Sequence, residues 1–441
     1  MSEKGIRDAR TLGIPKMLLL GFQHMFAMFG ATVLVPALTG LSVSATLLFA
    51  GLGTLLFHFL SKGKVPAFLG SSFAFIGGYA AVNALCGNYA DIANWVPYAG
   101  VGVMCAGLLY VLLAALFKSF GAQKVMRFFP PLVTGPVIIC IGMSLAYSAI
   151  NNCAANWWIA ILAIVIVVVA NIWGKGMIKI IPILLGVVGS YAVAAIFGQV
   201  DFSTVSDAAW IGLPFHWKDT AFSLFTGCNG SALLSAIIPM MPIALATMVE
   251  HIGDMCAISS TVGENFVAEP GLHRTLLGDG LATALAALFG APANTTYGEN
   301  TGVLALTKVY DPKVIRIAAV LAILFSFSPK FAALVSAMPT ATIGGVSLIL
   351  YGMISAVGVR NVVENQVDFT KNRNVIIAAL IMSLSLGISF SSAGALVLGP
   401  VSLSGLAVGA LVGIILNAIL PGNDYVFGKN AQGDESVNFK V

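Results

Sequence analysis

The sequence reads as an all-α polytopic membrane protein of about fourteen transmembrane segments in two inverted seven-segment repeats, with two short antiparallel strands in segments three and ten. Three observations carry that reading. Of 441 residues, 58% are hydrophobic and 9% charged, where soluble domains average about 25% charged. Apolar runs close to the ~20 residues that a helix needs to cross a ~30 Å hydrocarbon core recur along the whole length. Two of these runs, seven segments apart, are interrupted in the same way.

The runs lie near residues 14–39, 44–60, 66–84, 97–117, 127–149, 157–173, 180–198, 230–252, 273–290, 291–309, 315–338, 341–358, 374–390 and 395–420. Lys and Arg gather in cytoplasmic loops, and here they alternate cleanly. Inner positions take 20 of the 22 basic residues: Lys4, Arg7, Arg10, Lys16, Lys62, Lys64, Lys118, Lys124, Arg127, Lys175, Lys179, Arg274, Lys308, Lys313, Arg316, Arg360, Lys371, Arg373, Lys429 and Lys440. Lys218 falls in the external loop after segment seven, and Lys330 near the outer end of segment eleven can snorkel to the interface. A miscounted segment would invert the bias of every later loop. Both termini are therefore expected in the cytoplasm and the chain in the plasma (inner) membrane. The first apolar run is too long for a secretory signal and lacks a small-residue cleavage site. It reads as segment one.

The net charge of +4 follows from this topology and calls for no nucleic-acid partner. Six cysteines stand without C-x-x-C or His/Cys ligand spacing, so no metal or redox cofactor is expected. Cys86, Cys153 and Cys228 fall in external loops, where a disulfide is conceivable. No G-x-x-x-x-G-K-[ST] stretch is present, which leaves an ion gradient, with the proton as coupling ion, as the energy source.

The interrupted stretches are "KVPAFLGSSFAF" (64–75) and "GAPANTTYGENTG" (290–302). Each starts at a proline, passes through residues that favour extended structure, reaches a Ser/Thr/Gly cluster and resumes an apolar helix. An odd offset of seven segments reverses the direction of travel. Paired interruptions of this kind point to a carrier's binding site, although Gly and Pro are also common in membrane helices generally. From Lys308 at the inner interface, nine residues of helix at about 1.5 Å each place Glu299 roughly 13 Å deep, near mid-bilayer. Residues 291–297 then span the outer half only if extended, at ~3.3 Å each. The same arithmetic gives a strand from Pro66 to about Gly70 and a half-helix from near Phe73. Unpaired strands in hydrocarbon cost several kcal/mol per group, so the two strands should pair. Each half-helix would then point its free N–H groups and positive dipole end into a shared cavity.

Glu299 is the strongest candidate for chemistry, since a mid-bilayer acid costs about 2.5 kcal/mol or more to insert; capping its own half-helix is the plainer role. Glu250 and Asp254, four apart in "ATMVEHIGDM", share a helix face and fit either the cavity or the inner interface. Neighbouring buried carboxylates titrate as a coupled pair, with burial and helix-end N–H groups acting in opposite directions. His24 fits a cavity role or a hydrogen-bonded structural one. His58 lies near the inner interface, and Asp279 near enough to the cytoplasmic surface to stay solvated. Tyr351 lines the cavity or packs between helices. Phe73 and Phe75 could cover an aromatic ring. A hydrolase built on Glu250, His251 and Asp254 lacks H-E-x-x-H spacing, so no enzyme is expected.

Taken together and in order, "QHMFAMFGATVLVP" (23–36), "KVPAFLGSSFAF", "MVEHIGD" (248–254), "NTTYGENTG" (294–302) and "GGVSLILYG" (344–352) resemble the nucleobase-ascorbate transporter family, most of all its bacterial uracil permeases. The resemblance runs from about residue 13 to 420. It implies a core domain from segments one to four (1–120) and eight to eleven (230–339), and a gate domain from five to seven (121–229) and twelve to fourteen (340–441, with the tail). It also implies a homodimer in the lipid bilayer that imports a nucleobase with a proton. Carried onto matching positions, Glu250 and Glu299 bind the base, the backbone at Phe73 and Gly298 adds hydrogen bonds, and Ser72, Tyr297 and Tyr351 lie nearby. Proton coupling then falls to Glu250, Glu299, Asp254 and His24. Asp254 stands where the similar uracil carriers tend to have histidine, so a histidine relay does not transfer. The purine carriers usually hold glutamine at the place of Glu299, so glutamate favours uracil over xanthine or urate. An anion channel or exchanger on the same inverted-repeat fold is the alternative of another class.

Overall fold

Helix boundaries follow local chemistry throughout the computed structural model, which describes residues 5–87, 89–392, 394–398, 401–423 and 425. Ser42, Asn156, Asn229, Asp311, Ser328 and Ser404 each cap a helix start through a side-chain oxygen, satisfying a backbone N–H with no partner inside the helix. Gly40 and Gly263 end helices at φ 76° and 72°, the left-handed turn that glycine makes without strain. Among the described residues, seven helical stretches are long and apolar enough to cross a bilayer: Ile14–Thr39, Val43–Leu60, Val96–Phe120, Pro131–Ala154, Gly230–Val262, Thr340–Glu364 and Asn372–Ser389. Phe73–Cys86, Trp157–Ile172, Pro182–Ile196 and Gly405–Ile419 are shorter apolar helices. The Trp157–Ile172 helix carries Trp158 and Trp173 at its two ends, 83% and 69% exposed, as an interfacial aromatic belt requires.

Segment eleven is bent by 89° between Pro312–Ser326 and Pro329–Ser336. Lys330, just past the bend, sits 4.7 Å over the ring of Trp210 from the loop after segment seven. Segment eight is two helices, Gly230–Met240 and Ile243–Val262. Segment fourteen departs from expectation. Two strands, β3 (Ala395–Leu398) and β4 (Val401–Ser404), pair antiparallel there, and helix begins only at Gly405. The sequence there gives no helix start before Ser404, the residue that caps it.

Packing follows one pattern. Segment two lies along eleven, and nine along four; one along eleven, and the first helix of eight along four; six along seven, and thirteen along fourteen; six along twelve, and thirteen along five. Each pairing recurs with both members shifted by seven. Close approach depends on small residues: Gly107 and Gly280 meet where segments four and nine cross, and a Cβ on Gly280 would stand 2.4 Å from Tyr110 Cβ and 2.7 Å from Gly107 O. In lipid such close backbone packing replaces the hydrophobic drive.

The expected strands form and pair antiparallel, but they are shorter than the spacing arithmetic gave. β1 is Leu69–Ser71 and β2 is Asn294–Thr296, in register Leu69 with Thr296, Gly70 with Thr295 and Ser71 with Asn294. Bonds from Ser72 N to Ala293 O (2.8 Å) and Tyr297 N to Phe68 O (3.0 Å) extend the ladder. All six strand residues are buried, so the outward-facing backbone groups need partners from neighbouring helices. Thr54 on segment two accepts from Leu69 N at 2.9 Å, and Thr283 on segment nine donates to Asn294 O at 2.9 Å. These two threonines are themselves related by the seven-segment shift.

Two further expectations change. Asp279 has no exposure at all; it lies one turn further into segment nine than a surface acid, behind Tyr110 and Phe57. Cys86 and Cys153 are buried and Cys228 is exposed, and none of the three is in a disulfide, so the expected external pairing does not form. His58 is buried, and its Nε2 bonds Ala67 O at 2.9 Å, tying segment two to the approach of β1.

Candidate functional site: the crossing of two broken segments

The antiparallel ladder sends its two half-helices off from opposite ends, separated by about 7 Å for two strand steps. β1 leads through Ser72 into a tight turn at Phe73–Phe75 and the helix Ile76–Cys86. β2 leads through Tyr297, still extended at φ −111° and ψ 117°, into the helix Gly298–Thr307. First-turn N–H groups there have no helical partner, and Gly298 is exposed with open space where a Cβ would stand. Tyr297 lies over Gly70, where a Cβ would come within 2.4 Å of Cζ, and its hydroxyl donates to Ser71 O at 2.8 Å. Ser71 Oγ in turn donates to Thr32 O at 2.8 Å.

The helix Ile243–Val262 passes both half-helix starts. Glu250 on it is half-buried. Asp254, one turn on, accepts a 2.7 Å hydrogen bond from Thr296 Oγ1 at the end of β2. The sequence left these acids between interface and cavity, and the contact to Thr296 brings Asp254, with Glu250 one turn before it, to the crossing. Glu299 is the second residue of its half-helix, and its side chain lies outside the described part of the structure.

Phe73 is buried and meets the Tyr351 ring edge-on, with centroids 5.7 Å apart and planes at 78°. Here segment three touches segment twelve. The hydroxyls of Ser72 and Tyr351 are both buried, and neither has a directed hydrogen bond among the described residues; Ser347 neighbours Tyr351 without one. Buried hydroxyls normally find partners, so two orphans beside open helix ends mark a place for a polar ligand.

His24 is buried on segment one. Asn300 Nδ2 stands 3.2 Å from its Nδ1 and 3.1 Å from its carbonyl oxygen. Because the amide nitrogen donates only, Nδ1 accepts and the ring proton sits on Nε2, which has no partner among the described residues. His24 thus fixes the start of the second half-helix through the residue next to Glu299. Sequence reasoning missed Asn300 and Thr296, although both stand in the polar stretch 294–302; their signal was a side-chain amide and a hydroxyl at mid-bilayer depth. It gave His251 and Asp279 no joint role, because which helix faces meet is set by packing and not by spacing.

With this geometry in view, the comparisons define first a fold and then a family. The fold is that of membrane carriers: the transmembrane domain of a cyanobacterium bicarbonate transporter, BicA, aligns over 94% of this chain and 99% of its own at TM-score 0.58 and 15% identity. SLC26A9 aligns over 91% of this chain and 64% of its own at TM-score 0.63 and 12% identity. The chain belongs to the nucleobase-ascorbate transporter family: the family model described as "Permease family" matches residues 15–394. Among its relatives, a uracil permease of Bacillus subtilis (strain 168) is 40% identical over 95% of both chains. A probable uracil permease of Haemophilus influenzae is 41% identical over 92% of this chain and 94% of its own. The uracil permease of Escherichia coli (strain K12) is 38% identical over 91% and 90%. The chain is an integral membrane permease and not an enzyme.

Proposed function

We propose that this protein imports uracil across the plasma (inner) membrane together with a proton, by movement of a core domain against a gate domain. The observation that carries the reading is the convergence of two half-helix starts on the helix bearing Glu250 and Asp254, in a chain 40% identical to a uracil permease over 95% of its length. Uracil presents ring N–H donors and carbonyl acceptors. Carboxylates of Glu250 and Glu299 suit the former, and backbone N–H groups at Phe73 and Gly298 the latter. Ser72, Tyr297 and Tyr351 complete the surroundings. Glu250, Glu299 and Asp254 carry the coupling proton, with His24 as a further candidate through its unpartnered Nε2. No cofactor is needed.

The recurrence of helix pairings at a shift of seven supports fourteen crossings in two inverted halves, with both termini in the cytoplasm. Segments one, two, four, eight, nine and eleven pack mainly among themselves, as do five, six, seven, twelve, thirteen and fourteen, which supports core domains at 1–120 and 230–339 and gate domains at 121–229 and 340–441. The working unit is a homodimer in the bilayer. Anion exchange is the competing class, since both structural neighbours named above share the fold, but acids at the crossing disfavour an anion.

The test is uptake of radiolabelled uracil by cells expressing the chain, with pyrimidine and purine competitors at two pH values. Uracil analogues should compete and uptake should rise as external pH falls. Strong competition by xanthine with none from uracil analogues would replace the substrate, and pH-independent uptake would remove the proton.

A further inference from the structure

Behind the crossing lies a buried pair that the reading above leaves without a role. His251 on segment eight and Asp279 on segment nine are both wholly buried. His251 Nδ1 is 3.0 Å from Asp279 Oδ2 but off the line of a directed hydrogen bond, and neither carboxylate oxygen nor His251 Nε2 has one among the described residues. The Phe57 ring stands edge-on to the imidazole at 6.2 Å, and Tyr110 of segment four faces Asp279. A carboxylate anion in such surroundings is costly without a counter-charge, so the pair favours holding one proton, on the carboxyl or on the imidazole.

The pair is joined to the crossing by one side chain. Thr296 Oγ1 donates to Asp254 Oδ2 at 2.7 Å and lies 3.5 Å from His251 Nδ1. A hydroxyl has one proton and two lone pairs, so while it donates to Asp254 its lone pair faces Nδ1. We propose that His251 and Asp279 are the proton store of this carrier, filled from Asp254 through the hydroxyl of Thr296. The inference rests on the proton-driven reading above.

Filling balances as follows. A proton on Asp254 Oδ2 moves to Thr296 Oγ1 while the hydroxyl's own proton moves to Nδ1 of the neutral imidazole. One O–H bond forms and one breaks at Thr296, Asp254 returns to carboxylate, and the pair goes from one negative charge to none. In the filled state Thr296 donates to Asp254. An empty store would set the Nδ1 lone pair against an anionic oxygen at 3.0 Å, which drives filling. The charged and titratable groups around the pair, among the described side chains, are Tyr110 on segment four and Glu250 and Asp254 on segment eight. His58 on segment two is engaged by Ala67 and Arg316, Arg274 on segment nine by Leu60 O, and Glu269 before segment nine by Lys64. The helices of segments five and fourteen that pack on segment eight bring no charged side chain.

The experiment uses the purified full chain in proteoliposomes and measures three things: uracil counterflow at equal pH on both sides, pH-gradient-driven accumulation, and protons moved per uracil. In Thr296→Val and His251→Gln, gradient-driven accumulation should fall roughly tenfold or more beyond any change in counterflow. Protons per uracil should fall by at least about half and the pH profile of uptake flatten, while Thr296→Ser, which restores the hydroxyl, should behave as wild type. Unchanged proton ratio and pH profile in Thr296→Val and His251→Gln would overturn the store, as would equal defects in Thr296→Ser and Thr296→Val. If His251→Gln does not fold, the two Thr296 variants decide. A wild-type chain that moves uracil without protons would overturn the proton-driven reading and this inference with it; a coupled wild type with unaltered variants overturns only the latter.

Discussion

Replacing Thr54 by valine should loosen the ladder that holds the two broken segments together. Leu69 N–H points away from β2 and donates to Thr54 Oγ1 at 2.9 Å, and the same hydroxyl reaches Leu69 O at a weaker 3.3 Å. Thr54 and Leu69 are both fully buried, so no water can take over. Valine keeps the shape and removes both contacts, leaving an orphan donor whose cost is about 1–3 kcal/mol. At the middle of that range, ~2 kcal/mol, the folded-to-unfolded ratio drops roughly 30-fold. Thr54→Ser keeps the oxygen and should stay within about 0.5 kcal/mol of wild type, as a substitution that leaves the bond intact does. Equilibrium unfolding in mixed micelles, followed by tryptophan fluorescence, measures the difference. Uracil binding to Thr54→Val should weaken as well, because Leu69 lies three residues before Ser72 and sets the position of Phe73. A Thr54→Val chain within about 0.5 kcal/mol of wild type would refute the claim that this backbone group depends on segment two.

Three further outcomes are expected. Asn300→Leu strands the buried Nδ1 of His24 and should cost about 1–3 kcal/mol, seen as a lowered thermal midpoint in detergent; an unmoved midpoint would show that the His24–Asn300 bonds carry no stability. Gly280→Val drives a Cβ into Tyr110 and Gly107 O and should cost at least about 1–3 kcal/mol of overpacking strain, with expression yield and midpoint both falling. Outside the bilayer, Lys64 beside Glu269 holds that carboxyl below the usual carboxylate range. A depressed folded-state value stabilises above the unfolded value and fades as pH falls through the folded one, so the midpoint difference between wild type and Lys64→Met should be present at pH 7 and shrink below about pH 4.3. It will be small, because both side chains are exposed and such pairs are screened; a difference that grew on acidification would contradict the assignment.

Composition and apolar run length are enough to mark this chain as a membrane protein, because a bilayer demands long apolar stretches, and the side preference of Lys and Arg orders the expected segments. The paired interruptions also disclosed the strands, since an extended stretch at mid-depth has no choice but to find a partner strand. Local rules failed where a distant contact decides. Ala395–Leu398 and Val401–Ser404 are apolar enough for helix, yet they pair as antiparallel strands. Asp279 sits near a helix start in sequence but is sealed by segments two and four. Glu250 and Asp254 were ambiguous until the bond from Thr296 fixed which way their helix face turns. Sequence periodicity specifies which residues share a face, whereas the neighbour that face meets is set by the crossing of helices tens or hundreds of residues apart. Burial, orphaned hydroxyls and the path from Asp254 to His251 exist only once those helices are packed.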